Sequence, residues 1–274
     1  MYHLKGTILS ATSSILLVCA TSAYAAQTTV PQSALIASGQ YFTDIIGGGI
    51  GSIVVMTGGG ATPGIGDPTG RNDDGFRGPI SFGYTFKLFG TNYTSFYANN
   101  NGNISFGAGI SAYVPTGPTG ANVPVISAWF GDVDTTSAAS GVLRLRQDVA
   151  QETILTWDKV GYYNSHGDLL DSFQMVVRGP GYSVPNGEGV VGFFYKTMSW
   201  ERTDTSITAA VGFGDGLGNS VVLAGSNVAG LNPVVANHYI WFDQTLIPVV
   251  PEPSSYLLML FGIGVISTRF CRRK

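Results

Sequence analysis

The chain has 274 residues, of which 44% are hydrophobic and only 11% charged, a balance that predicts a folded body and excludes general disorder. Its formal charge of −3 hides an asymmetry: residues 26–250 carry 9 Lys/Arg against 16 Asp/Glu, a net −7. Such an acidic stretch argues against nucleic-acid binding, which needs clustered Lys and Arg. The two cysteines, Cys19 and Cys271, lie near the ends, which excludes a disulfide scaffold, a thiolate zinc site and a cysteine nucleophile between them.

At the N-terminus, Lys5 precedes an apolar run from Ile8 to Ala20 and an Ala-x-Ala site. That order predicts a secretory signal peptide over residues 1–25, cut by signal peptidase between Ala25 and Ala26. Residues 26–40, polar and poor in aromatics, read as a linker. From residue 41 to 245, 38 glycines in the whole chain, many beside Asn, Asp, Ser or Pro, together with 13 Tyr and 15 Phe, favour short strands joined by turns. The fold class expected is all-β, an antiparallel sandwich or barrel-like domain, flanked by terminal apolar helices.

Gly-rich stretches at 47–51 and 57–64 flank a short apolar run, Ile53 to Met56. No βαβ pattern follows them, so they read as loops rather than a nucleotide site. Strict alternation from Ser81 to Phe89 places Phe82, Tyr84, Phe86 and Leu88 on one face of a strand. Ser95–Ala98, the turn Asn99-Asn100-Asn101-Gly102, and Asn103–Phe106 then read as a hairpin, since Asn and Gly tolerate positive φ. Further strands are predicted at 123–130, 141–147, 153–157, 172–178, 190–195, 207–212, 221–224 and 239–242.

Asp132 and Asp134 are two residues apart, so in a strand they point to the same side. Paired carboxylates suit Ca²⁺, a hard cation that takes oxygen ligands at about 2.3–2.6 Å. The alternative is that they cap a turn. Asp73, Asp74 and Asp215 are weaker recruits to such a site, since they sit in glycine loops where Asp commonly serves the turn. Ser165, His166 and Asp168 are too close in sequence to form a triad, and read as a polar loop. Pairing of Glu152 with Glu188 or Glu201, or exposure of Trp129, Trp157, Trp200 or Trp241, would suit a lectin-like or glycan-processing domain. Burial is the ordinary fate of a strand Trp.

The end of the chain reads as a spacer over 246–253 containing Pro251, Glu252 and Pro253, a short apolar transmembrane helix over 254–270, and a basic cytoplasmic tail at 271–274. A 17-residue helix would span roughly 25 Å, a little short of a bilayer core. Arg269, Arg272, Arg273 and Lys274 after it would leave the body outside the cytoplasm. The order of parts resembles the PEP-CTERM sorting signal. That resemblance implies cutting by an exosortase, an integral-membrane protease, after transient anchoring in the inner membrane; a permanent anchor is the alternative.

Four passages of the body together resemble the nidogen-like (NIDO) extracellular domain. They are Asn72–Phe76, Phe86–Gly90 with Tyr97–Gly107, Pro124–Thr135 with Gly141–Leu143, and Asp171–Gln174 with Val211–Gly216. The likeness covers about residues 73–219 and is most specific in Trp129-x-x-Asp132-x-Asp134-Thr135. It implies extracellular interaction without catalysis. The expected function is therefore adhesion or matrix assembly at the cell surface, with a matrix polysaccharide or protein as partner.

Overall fold

The computed structural model describes residues 26–60, 64–113, 115–201 and 208–249. In chain order the elements are β1 (Gln27–Val30), β2 (Ile36–Ala37), α1 (Phe42–Ile46), β3 (Ser52–Ile53), β4 (Gly58–Gly59), β5 (Gly75–Leu88), β6 (Thr91–Asn99), β7 (Asn103–Ser105), α2 (Gly117–Gly120) and β8 (Pro124–Phe130). They continue with β9 (Val133–Asp134), β10 (Leu143–Arg146), β11 (Glu152–Tyr162), β12 (His166–Arg178), β13 (Val191–Tyr195), β14 (Ala210–Asp215), β15 (Ser220–Leu223), α3 (Asn232–Val235), β16 (His238–Phe242) and β17 (Pro248–Val249).

These strands make two sheets. The first has eight strands in the order β1-β15-β14-β8-β7-β6-β5-β4. The second runs β17-β16-β13-β12-β11-β10-β3, with β2 added beside β16 and β9 beside β11. Every pairing is antiparallel except β1 with β15, which is parallel. The class is all-β, and the architecture is a sandwich.

The period-2 pattern explains why the sheets stack. Phe82, Tyr84, Phe86 and Leu88 alternate with exposed neighbours along the second half of β5, and all four are buried. They join one core with Phe106, Trp129, Trp157, Phe173, Phe193, Phe213 and Phe242, drawn from both sheets. The sheets touch through rings, as where Phe213 meets Phe193 at 5.6 Å and Phe242 at 4.8 Å. Tyrosine hydroxyls in this interior find carbonyls across the layers: Tyr195 donates to Ala128 O at 2.8 Å and Tyr84 to Val177 O at 2.9 Å. Burial pushes the ionisation of both phenols well up, so they stay neutral donors.

The stretch 26–40, read from sequence as a linker, is instead built into both sheets. β1 extends the first and β2 the second. Val30 and Ala34 are buried in the main core, which is what fixes the segment despite its polar composition. At the other end the domain runs past residue 245, since β17 pairs Pro248 with Phe242 and Val249 with Trp241. The signal peptide and the sorting helix lie outside the described residues, as do Pro251, Glu252, Pro253 and the basic residues Arg269, Arg272, Arg273 and Lys274. Among the described residues no helix is long and apolar enough to cross a membrane.

Candidate metal centre

The chain crosses from the first sheet to the second between β8 and β9, and Asp132 sits at that crossing. It is fully buried. Opposite it lies the segment leading into β5, where Asp73 makes an isolated antiparallel bridge to Asp134. Asp74 follows with φ 61°, a left-handed conformation in which Asp is among the better-tolerated residues. The result gathers one oxygen each from Asp73, Asp74 and Asp132 within 4.8 Å of one another. Oxygens on opposite sides of a single Ca²⁺ would stand about 4.8 Å apart, so three carboxylates this close fit one such ion.

The β6–β7 turn plugs the same space with amides. Asn100 donates its Nδ2 to Asn72 O at 3.2 Å and to Val133 O, while its backbone N donates to Gly75 O at 2.8 Å. Asn101 Nδ2 donates to Asp74 Oδ1 at 2.7 Å and to Ala112 O at 2.6 Å, and its Oδ1 accepts from Val133 N at 3.0 Å. Thr135 closes the other side, exchanging bonds with Asn72 in both directions at 2.8 Å. Trp157 Nε1 donates to Asn100 O at 2.9 Å, tying the turn to the core of the second sheet. Asn72, Asn100 and Val133, which flank the three carboxylates, are thus held by buried hydrogen bonds.

Electrostatics single out Asp73. Burial first, then the charges of Asp134 and Asp74, push its carboxyl up to about 7. Its Oδ1 is buried with no hydrogen-bond partner among the described residues. A cation beside it would favour the ionised form that burial disfavours.

The two acids singled out from sequence separate in role. Asp132 enters the carboxylate group. The Asp134 carboxylate instead caps the following turn, accepting from Thr136 N at 2.7 Å and Thr136 Oγ1 at 2.5 Å on one oxygen and from Ser165 N at 2.6 Å on the other. Asp73 and Asp74, read from sequence as weaker recruits to such a site, are the ones that join Asp132. Their only sequence signal was their position at the head of the first nidogen-like passage. Asp215 does serve its turn, accepting from Leu217 N at 2.7 Å and Asn219 N at 3.0 Å.

The remaining chemistry-bearing residues fall elsewhere. Ser165 shares its hydroxyl with Thr136 Oγ1 at 2.6 Å, while His166 Nδ1 faces Asp168 Oδ1 at 3.1 Å. The serine therefore points to a threonine and not to the imidazole. Glu152 and Glu188 do converge, but on the buried Arg178 guanidinium, at 3.0 and 2.7 Å. Glu201 lies apart, accepting from Gly230 N and Asn232 N at 2.5 and 2.9 Å. All four tryptophans are buried, so none offers a face to a sugar.

The described chain is a two-sheet β-module with an acidic, amide-lined crossing between its layers. The chain belongs to the NIDO related family, whose match covers residues 53–242, from the end of β3 to the end of β16. It is wider than the 73–219 span of the resemblance and takes in the glycine-rich segment before Arg71. A second match, the PEP-CTERM protein-sorting motif, covers residues 249–274. That motif marks the chain for export through the inner membrane and for exosortase-type processing, with a cell-surface or extracellular destination. No solved structure matches the chain significantly.

Proposed function

We propose that this protein is a non-catalytic surface or matrix component that acts in adhesion or in matrix and biofilm assembly once exosortase-type sorting has delivered it. The observation that carries the reading is the direct abutment of module and address. The sorting-motif match begins at Val249, the last residue of β17, so an extracellular-family domain is joined to a sorting tail with no further domain between them. A matrix polysaccharide or protein is the partner class that fits a rigid acidic module of this kind. Transient anchoring by residues 254–270 would precede its release or attachment.

The proposal extends to Ca²⁺ as a structural ion at Asp73, Asp74 and Asp132, with Asp134 holding the neighbouring turn. Such an ion would brace the crossing between the sheets and take no part in a reaction. The functional test is a deletion of the gene complemented with the full chain or with a chain lacking residues 251–274. Biofilm mass and cell-to-surface adhesion restored by the first and not by the second support the reading. Full restoration by an unsorted chain retained inside the cell would reject it.

A further inference from the structure

Cations are scarce in this domain, yet three of the nine Lys and Arg in residues 26–250 gather beside one short strand, β3. β3 is an edge strand of the second sheet, where Ile53 pairs with Arg144 of β10. Ile53 is 39% exposed and lines two open grooves. The larger, about 540 Å³, also carries Arg71, Arg144, Asp158 and Pro68. The smaller, about 290 Å³, carries Arg77. The larger has the size usual for a small-molecule site, and the two adjoin at Ile53.

These guanidinium groups are held in place but not neutralised. Arg71 donates Nη1 to Thr135 O at 2.7 Å and to Ser137 O, and Nη2 to Ala138 O at 3.2 Å. Arg144 donates Nη1 to Gly51 O at 3.2 Å. All of these acceptors are neutral carbonyls, and among the described residues Arg71, Arg77 and Arg144 form no ion pair. Arg146, two residues along β10, differs: it pairs with Asp148 at 2.5 Å. The acids nearest the larger groove are engaged by neutral donors. Asp67 accepts from Thr69 N and Oγ1 at 2.8 and 2.7 Å, and Asp158 accepts from Tyr41 OH at 3.0 Å. A guanidinium has five N–H donors in a planar fork that matches a carboxylate, so both Arg71 and Arg144 keep donors to offer.

We propose that the two grooves bind a carboxylate-bearing polysaccharide, a polyuronate, laid across β3. The assignment rests on the reading of this protein as a matrix component and narrows its partner class. Arg71 and Arg144 take the carboxylate of one uronate unit, and Asp158 accepts from its ring hydroxyls. Ile53 and Pro68 meet its C–H edges. Arg77 in the adjoining groove meets a carboxylate further along the polymer, which is why a repeating anion suits the site better than a single sugar. The net −7 of residues 26–250 does not forbid this. At physiological ionic strength charges are screened beyond about 8 Å, so distant acids count for little against contacts at hydrogen-bond distance.

The test is calorimetric titration of the full-length chain, purified in detergent, with an oligogalacturonate at physiological ionic strength. Saturable binding is expected, with the methyl-esterified oligomer and a neutral dextran oligomer at least about tenfold weaker, since a charge-assisted pair is lost. Arg144→Gln should weaken binding about tenfold without lowering the melting temperature. Arg77→Gln, at an exposed residue with no side-chain hydrogen bond among the described residues, gives a second variant that is safe for folding. It should weaken a long oligomer more than a disaccharide. Lys87→Gln removes an exposed cation from the first sheet and should change nothing. No binding by the wild type, equal binding of the methyl ester, equal or tighter binding of dextran sulfate, or the same loss in Lys87→Gln would overturn the assignment. The titration uses purified protein, so its failure leaves the adhesion and biofilm complementation result standing, and failure of that result leaves the titration standing.

Discussion

Asp73 concentrates the residue-scale physics of the crossing. Its carboxyl is raised from 3.8 to about 7 by burial and by two neighbouring acids. A raised carboxyl pKa means that the folded state holds a proton which the unfolded state has released. Stability from this group is therefore full below about 4 and is lost as pH climbs through about 7. With chelator present, the melting temperature should fall across that window, and Asp73→Asn should flatten the decline. Calcium should reverse it, raising the melting temperature most near neutral pH, and Asp73→Asn with Asp132→Asn should abolish the calcium effect. An identical wild-type melt with calcium and with chelator at pH 7.5 would remove the ion from the account. Arg178 gives a metal-independent comparison. Its guanidinium is fully buried between Glu152 and the rings of Trp241 and Tyr182. Arg178→Met should cost about 3–5 kcal/mol by chemical denaturation, because it leaves a buried carboxylate unpaired.

At the scale of elements, what the sequence made legible was whatever side-chain period or turn chemistry determines locally. β5 declared its buried face through Phe82, Tyr84, Phe86 and Leu88, and the β6–β7 hairpin declared its turn through Asn100-Asn101-Gly102. β1 and β2 did not, since a strand of four residues and one of two hold their places through long-range pairing with β15 and β16. β11 and β12 extend beyond the predicted runs because they pair with each other across a bulge between Trp157 and Val160, which no local pattern reveals. The carboxylate group was legible only in part: its members were all candidates, but which of them converge depends on long-range pairing such as the Asp73–Asp134 bridge. Glycine substitutions test the hairpin. Gly102 has φ 78°, and a Cβ there would lie 1.7 Å from Trp129 O, so Gly102→Ala should cost more than about 3 kcal/mol. Gly107 has φ 85° but open space around it, so Gly107→Ala should cost only about 1–2 kcal/mol, the left-handed backbone penalty alone. Equal losses in urea melts would contradict the reading that the hairpin tip is wedged against β8.

For the whole molecule, the decisive relation is between the fold and the point at which its tail departs. Val249 is the last residue of β17 and packs with Trp241 and Phe42, whereas the sorting match starts at that same residue. Removal of the tail beyond the Pro-Glu-Pro motif should therefore leave the domain intact, which is what a handle discarded after sorting requires. A chain ending at Ser255 should melt with the full-length protein. A chain ending at Ile247 loses two paired residues and the Val249 contact, and should be about 1–2 kcal/mol less stable. In cells, mass spectrometry of the surface-localised or released form should find peptides through Val249 and none containing Cys271. Recovery of an intact Cys271 peptide from that form would show that the tail is kept, and the protein would then be a permanently anchored member of its family.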